Sequence, residues 1–355
     1  MNNDEQYLIF LPVCMPIKGY ERSLVLDIQR RVLDFIPNDL YEIYQKHNKQ
    51  KISLILSHYN DEEQEIIQEY INFLVGNEYA ILGSEHDAMH FAELSTEYNY
   101  WGHITNCVIK YSDLIHDNIR EILDVVDKRL GCSAIQIIFE KTISIAKLDN
   151  LLENFKDITF LSHVEILLPY LPEYDSGSVK TLLLNNFIVN KIVLYCSPTE
   201  GVEDLEHTII AYIKEDVRKM QCGMVGKECF SLNMFHITEA MHHNTCLHKK
   251  IFISPEGNIK SCPFSHEVFG NIFENDIESI IKRPSFRKYW DITKDKISVC
   301  RDCEFRYICT DCRVFLKNPD DIYSQPLHCH YNPYIAKWKG EEGYYPVKNC
   351  IFAGE

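Results

Sequence analysis

The chain has 355 residues, with 52 acidic against 36 basic side chains and a formal net charge of −16. So acidic a chain repels a phosphate backbone, which excludes nucleic-acid binding as an expectation, and 46% hydrophobic content is that of a folded protein. No apolar run is long enough for a bilayer span and no basic leader precedes one; no membrane partner is expected, and the expected location is cytoplasmic, where clustered cysteines hold metal more often than they form disulfides.

Taken in chain order, residues 1–85 come first. In "GYERSLVLDIQRRVLDFIP" the apolar residues alternate through Leu24, Leu26 and Ile28, break at Gln29 and Arg30, and resume at Val32, which predicts a β-hairpin. Pro37 and Asn38 open a short helix with Leu40, Ile43 and Tyr44 on one face. "ISLILSHY" is a second short element. An amphipathic helix starts near Asp61, carries Ile67, Ile71 and Leu74, and ends at Gly76 and Asn77; "EYAIL" reads as a strand. A hairpin followed by three helices, with the phrase "FIPNDLYEIYQKH", resembles the winged-helix-like PqqD-like module of peptide-modifying systems. That resemblance implies capture of a precursor's leader segment as an added strand on the sheet edge.

Residues 86–240 alternate strand-like and helix-like runs. "HITNCVIKYS", "AIQIIFE", "HVEILLPYL" and "NKIVLYCS" read as strands, each followed by a helical segment: "IREILDVVDKRL", "AKLDNLLENF", "VKTLLLNNF" and "DLEHTIIAYIKE". A fifth strand is read near "FSLNMF". Repeated βα units predict parallel strands buried on both faces, in a partial, open (β/α) barrel of class α/β. Cys14, Cys107, Cys132 and Cys196 stand singly in apolar runs and read as small buried hydrophobes.

With the cysteines that follow, such a barrel resembles that of the radical SAM enzymes. Their SAM cluster sits in a C-x3-C-x2-C loop after the first barrel strand. Here "YSDLIHDN" follows that strand without a cysteine, and Glu140 in "AIQIIFEKTIS" lacks the two glycines that family places before its glutamate. No SAM-binding residue and no SAM cleavage are expected, the catalytic residues are unassigned, and whether the chain is an enzyme stays open.

From residue 241 to 355 the cysteines crowd. Cys246 is followed by Gly257 and Cys262, then "CRDCEFRYICTDC" supplies Cys300, Cys303, Cys309 and Cys312, and Cys329 comes last. "FISPEGNIKSCPF" reads as a hairpin turning on Pro-Glu-Gly-Asn. This pattern resembles the SPASM domain, which carries auxiliary [4Fe–4S] clusters; the departure is two residues rather than three between Cys309 and Cys312. The resemblance implies two clusters, one on Cys300, Cys303, Cys309 and Cys329, the other on Cys246, Cys262 and Cys312. The fourth ligand of the latter is open among His242, His243, Cys229 and Cys222. Paired C-x2-C units also build zinc sites, so zinc is the alternative.

Together the three parts, 1–85, 86–240 and 241–355, resemble the grasp-with-spasm peptide maturases. The resemblance implies an iron–sulfur accessory protein that binds the leader of a ribosomally synthesised, post-translationally modified peptide and acts with an ATP-grasp ligase. Its alternatives are a redox enzyme using the auxiliary clusters, or a zinc-stapled scaffold.

Overall fold

The computed structural model describes residues 5–175, 177–219 and 222–350. The chain forms two compact units, Met1–Tyr98 with Gly223–Thr245 and Ile292–Glu355, and Asn99–Cys222 with Cys246–Asp291. This partition differs from a linear division at 85 and 240, because the C-terminal segment is shared between the units. No helix among the described residues is long and apolar enough to cross a membrane.

In the first unit, β1 (Tyr7–Phe10), β2 (Cys14–Ile17), β3 (Ser23–Asp27) and β4 (Val32–Ile36) precede α1 (Asn38–Lys46), β5 (Gln50–Lys51), α2 (Ile52–Leu56), α3 (Asp61–Gly76), β6 (Ala80–Gly83) and α4 (Glu85–His90). The predicted hairpin is β3–β4, with Leu24 opposite Phe35 and Leu26 opposite Leu33. β1, β2 and β5 were not predicted. β2 extends the hairpin to the order β2-β3-β4, and β1 pairs with both β5 and β6 in a separate antiparallel sheet. α3 starts where its acidic residues suggest. The Asn60 side chain accepts from the Glu63 N–H and the Glu63 carboxylate from the Asn60 N–H, each at 3.0 Å, a reciprocal cap on the helix start. One face of the hairpin sheet, through Val25, joins Leu40, Ile43, Ile67, Ile71 and Leu74 in a core. The other, through Leu24 and Leu26, packs with Phe305, Ile308 and Tyr331.

The second unit holds a nine-stranded sheet. β7 (Asn106–Lys110), β8 (Ala134–Ile138), β9 (His163–Pro169) and β10 (Val189–Tyr195) are the four predicted strands. β11 (Gly201–Asp204), β12 (Ile209–Ile213), β13 (Lys250–Ile253), β14 (Asn258–Lys260) and β15 (Gly270–Asn271) complete it. The order is β11-β12-β10-β9-β8-β7-β13-β14-β15, parallel from β12 to β13 and antiparallel at both edges. The helices between the strands are α5 (Asp113–Asp117), α6 (Ile119–Leu123), α7 (Ile145–Glu153) and α8 (Ser178–Leu184), with α10 (Ile277–Ile281) after the sheet; α9 (Met234–His242) belongs to the first unit.

Four expectations are corrected. The segment read as a helix at 204–215 is the β11–β12 hairpin: Ile-Ile-Ala-Tyr-Ile is β-branched and aromatic, and pairs directly beside β10. "FSLNMF" is no strand, because Asn233 caps α9 by accepting from the His236 N–H at 2.9 Å. β7, β8 and most of β9 are not buried on both faces, whereas the last four residues of β10 are. Cys107, Ile109, Ile135, Ile137, Val164 and Ile166 face the helices, while the intervening Gln136, Glu165 and Lys191 form a half-exposed polar row, Gln136 Nε2 donating to Glu165 at 2.7 Å and Lys191 pairing with it at 3.0 Å. Cys14, Cys107 and Cys132 are buried, but Cys196 is exposed at a left-handed turn (φ 57°) just past β10.

Candidate metal centre

The first unit brings four of the predicted site cysteines together. Cys300 opens a short 3-10 turn, Cys303 closes it, Cys309 follows one turn later, and Cys329 arrives on a strand-like bridge to Val225. Backbone bonds hold the loop: the Cys303 N–H donates to the Cys300 carbonyl (3.0 Å) and the Cys309 N–H to the Phe305 carbonyl (3.0 Å). Cys300, Cys303, Cys309 and Cys329 line one cavity, with Lys294 and Arg306. Cys312 is buried in the same unit outside that lining, its Sγ accepting from the Phe315 N–H at 3.3 Å. Cys246 and Cys262 belong to the second unit, Cys246 in a turn and Cys262 just past β14, where its Sγ accepts from the Phe264 N–H at 3.4 Å.

The open fourth-ligand candidates are scattered in character. His242 closes α9 with its Nε2 3.0 Å from the Thr96 carbonyl oxygen, Cys229 ends a 3-10 turn half-buried, and Cys222 is exposed. The hairpin ahead of Cys262 is the predicted one: β13 and β14 pair antiparallel, and Gly257 supplies the left-handed turn at φ 84°.

Three lining residues escaped sequence reasoning. Lys294, in "TKDKIS", reads as a solvated lysine, yet its side chain is 6% exposed and its Nζ lies 3.7 Å from Asp311 Oδ1. Arg306 pairs with Asp295 at 2.9 Å and donates to the Cys303 carbonyl at 3.1 Å. Gln325, buried, donates from Nε2 to Cys329 Sγ at 3.3 Å. The lining carries two cations and no carboxylate.

Burial pushes the Cys300 thiol up to about 12 and the Cys309 thiol up to about 11, in both cases against the pull of the Lys294 ammonium. Burial, reinforced by Glu304, holds Cys303 well above the thiol range. Burial alone would lower Lys294, but Cys309, where it is a thiolate, and Asp311 outweigh it and its pKa is raised. Such thiols stay protonated until a metal displaces the protons. Among the described residues, no three His, Cys, Asp or Glu side chains are drawn together closely enough to grip a single ion; the four thiols instead ring a space. Soft donors and a cationic lining fit an anionic, thiolate-ligated iron–sulfur group.

In the second unit, the connection from β7 to α5 is two residues, Tyr111 and Ser112, without a cysteine. Ser112 caps α5, accepting from the Ile115 N–H at 3.2 Å, and donates to the Pro255 carbonyl at 2.7 Å. Glu140 is held by Lys110 at 2.5 Å.

Residues 246–304 match the model of the SPASM family, an iron–sulfur cluster-binding domain. No curated protein matches the chain. Among solved structures, the chain is similar to Streptococcus suis SuiB bound to S-adenosylmethionine, at 11% identity over 90% of this chain and 98% of that one, TM-score 0.34. It is also similar to the same protein bound to precursor peptide SuiA, at 12% identity over 86% and 96%, TM-score 0.32. Likeness at these scores carries no inference about fold or activity.

Proposed function

We propose that the chain is an iron–sulfur accessory protein in the maturation of a ribosomally synthesised peptide. The observation that carries this reading is the set of Cys300, Cys303, Cys309 and Cys329 around one cation-lined cavity; Cys300 and Cys303 lie within the segment 246–304 that matches an iron–sulfur family, and Cys309 and Cys329 lie beyond it. These four would hold one [4Fe–4S] cluster, and Cys246, Cys262 and Cys312 part of a second. A ring of thiols around a space suits a group of several atoms, where zinc needs four donors meeting at one centre. When bound, such a cluster supplies one-electron chemistry or a structural staple.

The chain's own residues supply the rest. Among the described residues β4 is the edge of its three-stranded sheet and pairs only with β3, so its outer backbone groups are available for an added strand. Val32 and Phe35 on β4, and Ile66 on α3, are exposed apolar side chains of the kind a leader segment covers. The reading assigns leader capture to this edge, an ATP-grasp ligase as partner, and no SAM cleavage, since the β7–α5 connection is too short for a three-cysteine loop.

The test is incubation of the anaerobically purified protein with its precursor and a reductant, without the ligase, followed by mass spectrometry. An unchanged precursor mass together with leader binding in a direct titration supports the reading. A reproducible two-dalton shift contradicts the accessory role, and absence of binding at high micromolar leader removes the capture role.

A further inference from the structure

The cavity contains more positive charge than its protein partners need. Among the described residues, Asp311 is the one carboxylate paired with Lys294, and both its oxygens are already taken at shorter range: Oδ1 by Arg313 Nη2 at 2.7 Å, Oδ2 by Asn244 Nδ2 at 2.6 Å. Lys294 stands off at 3.7 Å. Arg313 is anchored further, donating to the Ile322 and Ser324 carbonyls at 3.0 and 2.9 Å. Two buried cations thus share one carboxylate, and an uncompensated buried charge is costly. Besides Asp311, the groups that act electrostatically on Lys294 are Cys309, Cys300 and Cys329, which line the same cavity.

A second feature acts on the same site independently. Gln325 donates to Cys329 Sγ, and its own Oε1 accepts from the Lys317 ammonium, on a solvent-exposed side chain, at 2.5 Å. The amide is therefore fixed with its N–H₂ toward the sulfur, its oxygen being occupied by a cation that cannot bond to a donor.

We propose that Lys294 and the Lys317–Gln325 relay raise the reduction potential of the cluster held by Cys300, Cys303, Cys309 and Cys329, so that its one-electron-reduced state is reached with a weaker reductant than it would need without them. This rests on the iron–sulfur reading of the cavity. Adding one electron makes the ligated cluster one unit more negative. A buried ammonium and an N–H···S bond both favour that state, and outer hydrogen bonds and net charge are what the protein uses to set such potentials. Lys294 and Gln325 are positioning residues here, acting through the cluster and its ligands.

The experiment is a dithionite titration of the reconstituted full chain followed by electron paramagnetic resonance, tracking the signal that Cys303→Ser abolishes. Lys294→Met and Gln325→Leu should each make the cluster harder to reduce by about tenfold in the equilibrium constant, about 59 mV for a one-electron couple. Lys294→Arg, which keeps the charge, should retain the wild-type value. If Lys294→Met does not load iron, Gln325→Leu against wild type decides the question. Variants that are fully loaded at the wild-type potential overturn the inference and leave the cluster reading standing. A wild-type protein without iron and sulfide overturns both.

Discussion

Arg22 and Glu304 are bonded across 282 positions of chain, Nε to Oε1 at 3.0 Å. Glu304 is 1% exposed at its side chain, and the Tyr331 hydroxyl donates to the same oxygen at 2.5 Å. The Arg22 guanidinium lies 3.4 Å over the Phe35 ring. Beside this pair the Tyr20 N–H donates to the Asp302 carbonyl at 2.8 Å, and Arg306 donates to the Lys18 carbonyl. The β2–β3 turn is thus stitched to the cysteine-rich loop within one unit. Glu304→Ala leaves both donors without their acceptor and should cost about 2–3 kcal/mol. A double-mutant cycle with Arg22→Ala, read by urea unfolding, should return a coupling above about 1 kcal/mol; additive effects would show that the pair is incidental.

Asp27, at the end of β3, gives the pH prediction. Burial pushes its carboxyl up, but the Arg30 N–H at 2.7 Å and Arg30 Nε at 2.6 Å outweigh that, and its pKa is lowered. A lowered carboxyl pKa contributes stability that is complete above the unfolded value, about 3.9, and is lost as pH falls through the folded value. The stability gap between wild type and Asp27→Asn should be constant between about pH 5 and 8 and shrink below about pH 4. A gap that widens in acid would contradict the assignment.

Gly257 tests the hairpin ahead of Cys262. Its φ is 84°, and a Cβ there would stand 2.5 Å from the Phe273 ring. Gly257→Ala should destabilise the second unit by about 1–2 kcal/mol, the left-handed backbone setting the minimum and the ring displacement the rest. Thermal melting checks it, and an unchanged midpoint would show that the turn has another conformation open to it.

The core of the nine-stranded sheet is set by its parallel ladder. Ile137, fully buried in the middle of β8, touches the helical layer. Ile137→Ala should cost about 3 kcal/mol, whereas Gln136→Ala on the half-exposed face should cost under about 1 kcal/mol, because only a partly solvated hydrogen bond is lost. Equal costs would show that both faces are packed alike.

Much of this architecture is legible in the sequence where the signal is local. The amphipathic stripe of α3, the Leu24/Leu26 alternation and the βα runs from β7 to α8 all announce themselves within a dozen residues. β1 does not, because "YLIF" acquires its strand character by pairing with Ala80–Gly83, far along the chain. The β11–β12 hairpin misleads because apolar residues at 209, 210, 212 and 213 satisfy a helical stripe as readily as a strand until pairing with β10 decides. At the candidate metal centre, thiol spacing marks Cys300, Cys303, Cys309 and Cys329, since four soft donors in so short a span are rare by chance. Lys294 and Gln325 leave no such mark. A lysine among Thr, Asp and Lys looks solvated, yet Lys294 is buried beside Asp311 and lines the cavity of the four cysteines.

The central claim is that the buried thiols hold iron and sulfide, and metal and acid-labile sulfide analysis of anaerobically purified protein addresses it most directly. Wild type should contain iron and sulfide in equal amounts with a broad visible absorption band. Cys303→Ser or Cys309→Ser should lose about half of both if two clusters are present, while Cys132→Ser, buried in the sheet core, should keep them. Protein that folds with zinc alone, or with no metal, and shows no visible band would contradict the account.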